Sequence, residues 1–190
     1  REHSRVLVLG MFAATATFVI FYLMTVFTLS WAVSQLGFGR QEFLLLQIAG
    51  VLFFGLTIPL SAAIADKRGR LTMLIAATLG IILFGLTFEG LFGSGTALGA
   101  LAFLGIGLGL MGLTYGPLGT ALSELFPTAV RYTGASLTFN LAGIVGASLA
   151  PYVATWLAQT YGLAYVGYYL SAAGAVSLVA LLMIAKRNRN

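Results

Sequence analysis

Residues 97–122 contain no charged side chain, and the chain then turns abruptly into Ser123-Glu-Leu-Phe-Pro-Thr-Ala-Val-Arg-Tyr-Thr-Gly134. A run of about 20 or more apolar and small residues is what a helix needs to cross a bilayer. The polar stretch behind it holds a carboxylate, a proline and an arginine within eight positions, Glu124 to Arg131. It reads as a charged elbow delivered to one membrane face. The same pattern recurs along the chain. Six apolar segments, 6–34, 43–65, 71–91, 97–122, 135–160 and 164–185, alternate with short links. In lipid every backbone group must find its partner within the protein, and these runs are too long and too uniformly apolar for barrel strands. The expected fold class is therefore all-α, a polytopic membrane bundle of six helices.

Charge placement tests that count. Arg1, Arg5, Lys67, Arg68, Arg70, Arg131, Lys186, Arg187 and Arg189 fall on the side of the termini, and Arg40 alone falls on the other, nine of ten on one face. Basic links mark the cytoplasmic side, which places both termini there. The net charge of +5 thus reflects topology; a nucleic-acid partner would need a basic patch on a soluble face. The five acids, Glu2, Glu42, Asp66, Glu89 and Glu124, all lie at segment ends or in links. No carboxylate sits at mid-membrane depth, where proton relays are usually found. Cysteine is absent, which removes disulfides and thiolate chemistry. No metal cluster, nucleophile–base pair or cofactor cradle is visible, so neither an enzyme nor a cofactor is expected. The first apolar run is too long for a secretory signal, and the start without Met points to a fragment.

Three motifs carry meaning. Gly107-Leu-Gly-Leu-Met-Gly112 matches the dinucleotide fingerprint, but that fingerprint requires a preceding strand. Inside a membrane helix, Gly105, Gly109, Gly112 and Gly116 read instead as a face for close helix approach. The link Ala65-Asp-Lys-Arg-Gly-Arg70 must reverse direction in few residues, with Gly69 as the turn and Asp66 placed to accept from amides at a helix start. Its acid among three bases points to an ion-pair lock. In the elbow, Pro127 stops the helix and restricts Phe126. A network of Asp66, Arg68, Arg70, Glu124 and Arg131 is then expected on one face. His3 reads as a solvated residue, and Trp31, Trp156 and Tyr161 as interfacial anchors.

The link and the elbow resemble signatures of the major facilitator superfamily, and more narrowly its metabolite:proton symporters. Leu113-Thr-Tyr-Gly-Pro-Leu-Gly119, Gly134-Ala-Ser136 and Gly146-Ala-Ser-Leu-Ala-Pro151 agree with the likeness. Ala62 and Leu71 depart from the family's link pattern, where a glycine and a second base are usual. The resemblance runs over the whole chain, but to the C-terminal six helices of a twelve-helix carrier. It implies two inverted three-helix repeats, a substrate at mid-membrane between halves, and an N-terminal six-helix half as partner. It also implies a cavity wall built from the first and fourth helices with part of the fifth. Phe18, Tyr22 and Thr25 share a face at i, i+4, i+7, and Tyr115 and Asn140 lie at suitable depth; these five are the candidate substrate contacts, with Gln47 a weaker one nearer the outer surface. Gly116-Pro117 is the candidate helix hinge. The expected function is proton-coupled symport of a small polar metabolite, such as an organic acid, in a bacterial inner membrane. The rival expectation is a membrane module that assembles a partner and transports nothing.

Overall fold

A computed structural model describes residues 2–187, and it leaves out the side chains of Glu2 and His3. Arg1, Arg189 and the reading of His3 as a solvated side chain therefore lie outside the described residues. The helices are α1 (Glu2–Tyr22), a π turn (Leu23–Phe27), α2 (Thr28–Gln35), α3 (Arg40–Arg68), α4 (Arg70–Leu86), α5 (Phe88–Phe92), α6 (Ala97–Glu124), α7 (Arg131–Tyr161) and α8 (Leu163–Arg187). Among the described residues, five helical rods are long and apolar enough to cross a membrane, α1–α2 counting as one. The shorter α4 continues into α5 to make a sixth crossing.

The links are short because glycine makes them so. Gly69 alone separates α3 from α4, at φ 93°, and Gly162 alone separates α7 from α8, at φ 101°. Residues with a Cβ rarely adopt such angles. Thr96 opens α6, its hydroxyl accepting from the Gly99 amide at 3.1 Å, a standard N-terminal cap.

Packing between the crossings has an internal symmetry. The second crossing, α3, lies along the fourth, α6, and the fifth, α7, lies along the first, α1. The third, α4, packs on α6 while the sixth, α8, packs on α1, and α4 and α8 pack on each other. Exchanging the first three crossings with the last three leaves this contact map unchanged, which is the mark of two repeats. Gly112 and Gly116 belong to the α3–α6 seam: a Cβ on either would strike Thr57 or Ser61, and would lie 2.7 Å from the carbonyl oxygens of Phe54 and Ile58 respectively. The small residues read from the sequence as a close-approach face do serve as one.

Two departures from uniform helix matter. The third apolar run, 71–91, is broken at Thr87, whose hydroxyl donates to the Phe84 carbonyl at 2.9 Å. The break aims Phe88 and Phe92 inward, where they join Phe27, Phe43, Phe84 and Phe103 in a fully enclosed aromatic cluster. The first crossing is interrupted as well. The buried Ser177 hydroxyl of α8 donates to the Phe12 carbonyl at 2.7 Å and accepts from the Ala16 amide at 2.9 Å, so it touches both ends of one turn of α1. Further along comes the π turn, where the Thr28 amide reaches back five residues to the Leu23 carbonyl.

Candidate functional site: a groove and its charged end

Phe18 and Tyr22 face a groove between α1 and α7. Its volume is about 300 Å³, and Phe139, Asn140 and Ser148 of α7 complete the wall. Glycine brings the two helices together here: a Cβ on Gly146 would lie 2.6 Å from the Phe18 Cβ. The ring of Phe139 packs edge-on against Phe18 at 4.9 Å and touches Tyr115 at 6.4 Å. A second hollow of about 570 Å³ shares Phe139 and Asn140 and runs on to Ser123, Thr128 and Arg131. The two hollows adjoin at Phe139 and Asn140, the first beside the last turns of α1 and the second at the basic end of the bundle. The groove wall is mostly aromatic and aliphatic, with the Asn140 amide and the Tyr22 and Ser148 hydroxyls, as small-molecule sites tend to be, while the second hollow includes the charged Arg131.

The five candidate contacts are not equally placed. Phe18, Tyr22 and Asn140 line the groove together. The Asn140 amide donates to the Ser136 carbonyl at 2.8 Å, and its oxygen keeps the capacity to accept. Tyr115 lies beyond the groove wall, tilted against Phe54 at 5.7 Å and linked to the groove through Phe139. Thr25 does not line the groove, and its hydroxyl donates back to the Phe21 carbonyl at 2.7 Å. The physical reason is the π turn. Spacing by i, i+4, i+7 presumes 3.6 residues per turn, and that periodicity ends at Tyr22. Gly116 and Pro117 lie within continuous helix, with Gly116 held against α3. Pro117 removes one backbone donor there without ending α6.

At the basic end, Arg70 of α4 is the centre of the charge cluster. Its guanidinium donates to Glu124 at the end of α6 and lies 3.6 Å from Asp66 one turn earlier. Asp66 thus belongs to the last turn of α3 and pairs with Arg70, where the sequence placed it at a helix start. The side chains of Arg70 and Glu124 are 35% and 53% exposed, so each pair contributes only about 0–1 kcal/mol to stability. Beside them a cleft of about 350 Å³ separates the α3–α4 link from the end of α6.

Arg68 and Arg131 stand apart from this cluster. Neither has a carboxylate within ion-pair distance among the described residues. The Arg131 Nε donates to the Phe126 carbonyl at 3.4 Å, across a single 3-10 turn, Thr128–Val130, that follows Pro127. That turn points Arg131 back at its own elbow and away from Glu124. The expected five-residue network is a triad, Asp66–Arg70–Glu124. Of the proposed anchors, Trp31 stacks on Phe27 at 5.8 Å, while Trp156 and Tyr161 are half exposed and in edge contact with each other.

Gln47 reaches from α3 to the π turn, with Nε2 donating to the carbonyls of Met24 at 2.8 Å and Thr25 at 2.9 Å. The signal that could have found it is a lone amide in an otherwise apolar run, since such a group must find partners inside the protein.

No family model matches this chain. Over 187 residues it is 47% identical to the inner membrane metabolite transport protein YhjE of Escherichia coli strain K12, covering 96% of this chain and 42% of that one. A putative metabolite transport protein of Haemophilus influenzae is 42% identical, covering 97% of this chain and 44% of its own. A citrate-proton symporter of Klebsiella pneumoniae is 29% identical over 97% of this chain and 42% of its own. The chain therefore spans less than half the length of these relatives. With six crossings in two matched repeats, it belongs to the metabolite transport proteins of the major facilitator superfamily and makes up one half of their fold.

Proposed function

We propose that this chain is the C-terminal half of a secondary active transporter that moves a small polar metabolite, an organic acid by preference, together with a proton. The groove shared by Phe18, Tyr22 and Asn140 carries the reading. It combines an apolar wall with a few polar groups and adjoins, at Phe139 and Asn140, a second hollow at the basic end. The N-terminal half would close its open side by packing against the exposed apolar faces of α3 and α7. Transport then proceeds by alternating access, this bundle rocking against its partner. The Asp66–Arg70–Glu124 triad ties the α3–α4 link to α6 and would latch the cytoplasmic side while the groove opens outward. The basic links favour an inner-membrane orientation with both termini cytoplasmic.

Organic acids are favoured because one relative is named a citrate-proton symporter. Proton coupling would use a carboxylate of the other half, since every acid of this chain lies at a segment end or in a link. The deciding experiment is uptake by the full-length protein in proteoliposomes, with and without an inward pH gradient, against organic acids, sugars and betaines. Accumulation of one organic acid driven by the gradient is the expected result. Uptake of none of the panel under any gradient rejects the reading.

The placement of Arg131 makes a narrower prediction. Because no carboxylate lies within ion-pair distance of Arg131 among the described residues, Arg131→Gln should lower uptake at saturating substrate by less than about twofold, whereas Arg70→Gln, which removes both pairs, should lower it by at least about fivefold, in keeping with about 1 kcal/mol or more of ion pairing. Parallel uptake measurements on equal amounts of inserted protein read this directly.

A further inference from the structure

The π turn Leu23–Phe27 separates the groove-lining part of the first crossing from its far end. Such a turn takes in one residue more than an α turn, and one residue corresponds to about 100° around the helix axis. Were this turn to revert to α geometry, Phe18 and Tyr22 would swing by roughly that angle relative to α2. The direction in which they face therefore depends on the π turn being kept.

Its local sequence, Leu-Met-Thr-Val-Phe, holds no proline or glycine to impose the distortion. A neighbour supplies the restraint. Gln47 Nε2 donates to the Met24 and Thr25 carbonyls at 2.8 and 2.9 Å and lies 3.4 Å from the Thr28 hydroxyl. That hydroxyl itself donates to the Met24 carbonyl at 2.6 Å. Met24 and Thr28 are fully buried, so no water competes for the Met24 carbonyl, while Thr25 is half-buried. Without the amide the Thr25 carbonyl would lose its side-chain donor and the Met24 carbonyl would keep only the Thr28 hydroxyl, which weakens the hold on the turn.

We propose that Gln47 is the positioning residue of the substrate groove: its amide pins the π turn and so sets the angle at which Phe18 and Tyr22 meet the substrate. This rests on the transport reading above. Gln47→Leu keeps the volume and removes the donor, while Gln47→Glu keeps the shape and presents oxygens to the two carbonyls. Only molecules with the right angle bind, and apparent affinity falls by that fraction. Both variants should raise KM for uptake about tenfold while kcat stays within about twofold, as losing two ordinary hydrogen bonds allows. Gln41→Leu, on an exposed position of the same helix, should leave both constants unchanged.

A second measurement is independent of transport. In the full-length protein in lipid nanodiscs, amide hydrogen exchange over residues 23–29 should quicken in Gln47→Leu and not in Gln41→Leu. KM within about twofold of wild type in both Gln47 variants overturns the proposal. So does unchanged exchange over the turn, or a fall in kcat at unchanged KM, which would mark Gln47 as a general stabiliser. A wild-type protein that takes up nothing would reject the transport reading alone, because exchange would still report on the pinned turn.

Discussion

Gly116→Val in the full-length protein should yield almost no folded material. The first methyl-bearing carbon would lie 2.7 Å from the Ile58 carbonyl oxygen and strike the Ser61 hydroxyl. The hydroxyl can rotate away, but the carbonyl belongs to the backbone of α3 and can yield only if the whole helix shifts. Overpacking a seam of this kind costs about 1–3 kcal/mol, and more when backbone must move. That is a large share of the about 5–15 kcal/mol that typically holds a folded protein together. A control three residues on has the opposite sign. A Cβ on Gly119 meets nothing within 4 Å, and replacing a helical glycine by alanine there should stabilise by about 0.5–1 kcal/mol. Thermal unfolding of the detergent-solubilised protein, with size-exclusion profiles, reads both. Equal behaviour of the two variants would mean that the α3–α6 seam is looser than the structure has it.

Glu124→Gln should lower initial uptake about fivefold while the amount of inserted protein stays unchanged. The carboxylate that binds Arg70 is more than half exposed, so the pair adds at most about 1 kcal/mol to stability. A latch acts differently from a brace. When two conformations lie close in energy, about 1 kcal/mol present in one of them alone shifts their ratio roughly fivefold. The swap Arg70→Glu with Glu124→Arg, combined with Asp66→Asn to remove the like charge one turn earlier, rebuilds the contact with its charges reversed and should recover more than half of the uptake. Full uptake in the single variant, or no recovery in the swap, would detach the triad from transport.

Much of the fold could be read from residue types alone, since the six crossings follow from apolar runs that only lipid explains. The α3–α6 seam was legible for a similar reason. Gly105, Gly109, Gly112 and Gly116 recur every three or four residues, a spacing that puts them on one helix face. The interruptions were not legible. Nothing in Leu23–Phe27 marks a π turn, because the side chain that pins it lies more than twenty positions away. Thr87 breaks α4 within a run that stays apolar on both sides, and the break is explained by the aromatic cluster it feeds. The charged end was half legible. Arg70, Asp66 and Glu124 were placed on one face by the alternation of crossings. Arg131 was joined to them by proximity in sequence, and the 3-10 turn after Pro127 separated it.

The Ser177 hydroxyl grips α1 through main-chain atoms, the Phe12 carbonyl and the Ala16 amide. A joint of that kind is blind to which side chains α1 carries. The side chains on the groove face of α1 can therefore change while its attachment to α8 persists.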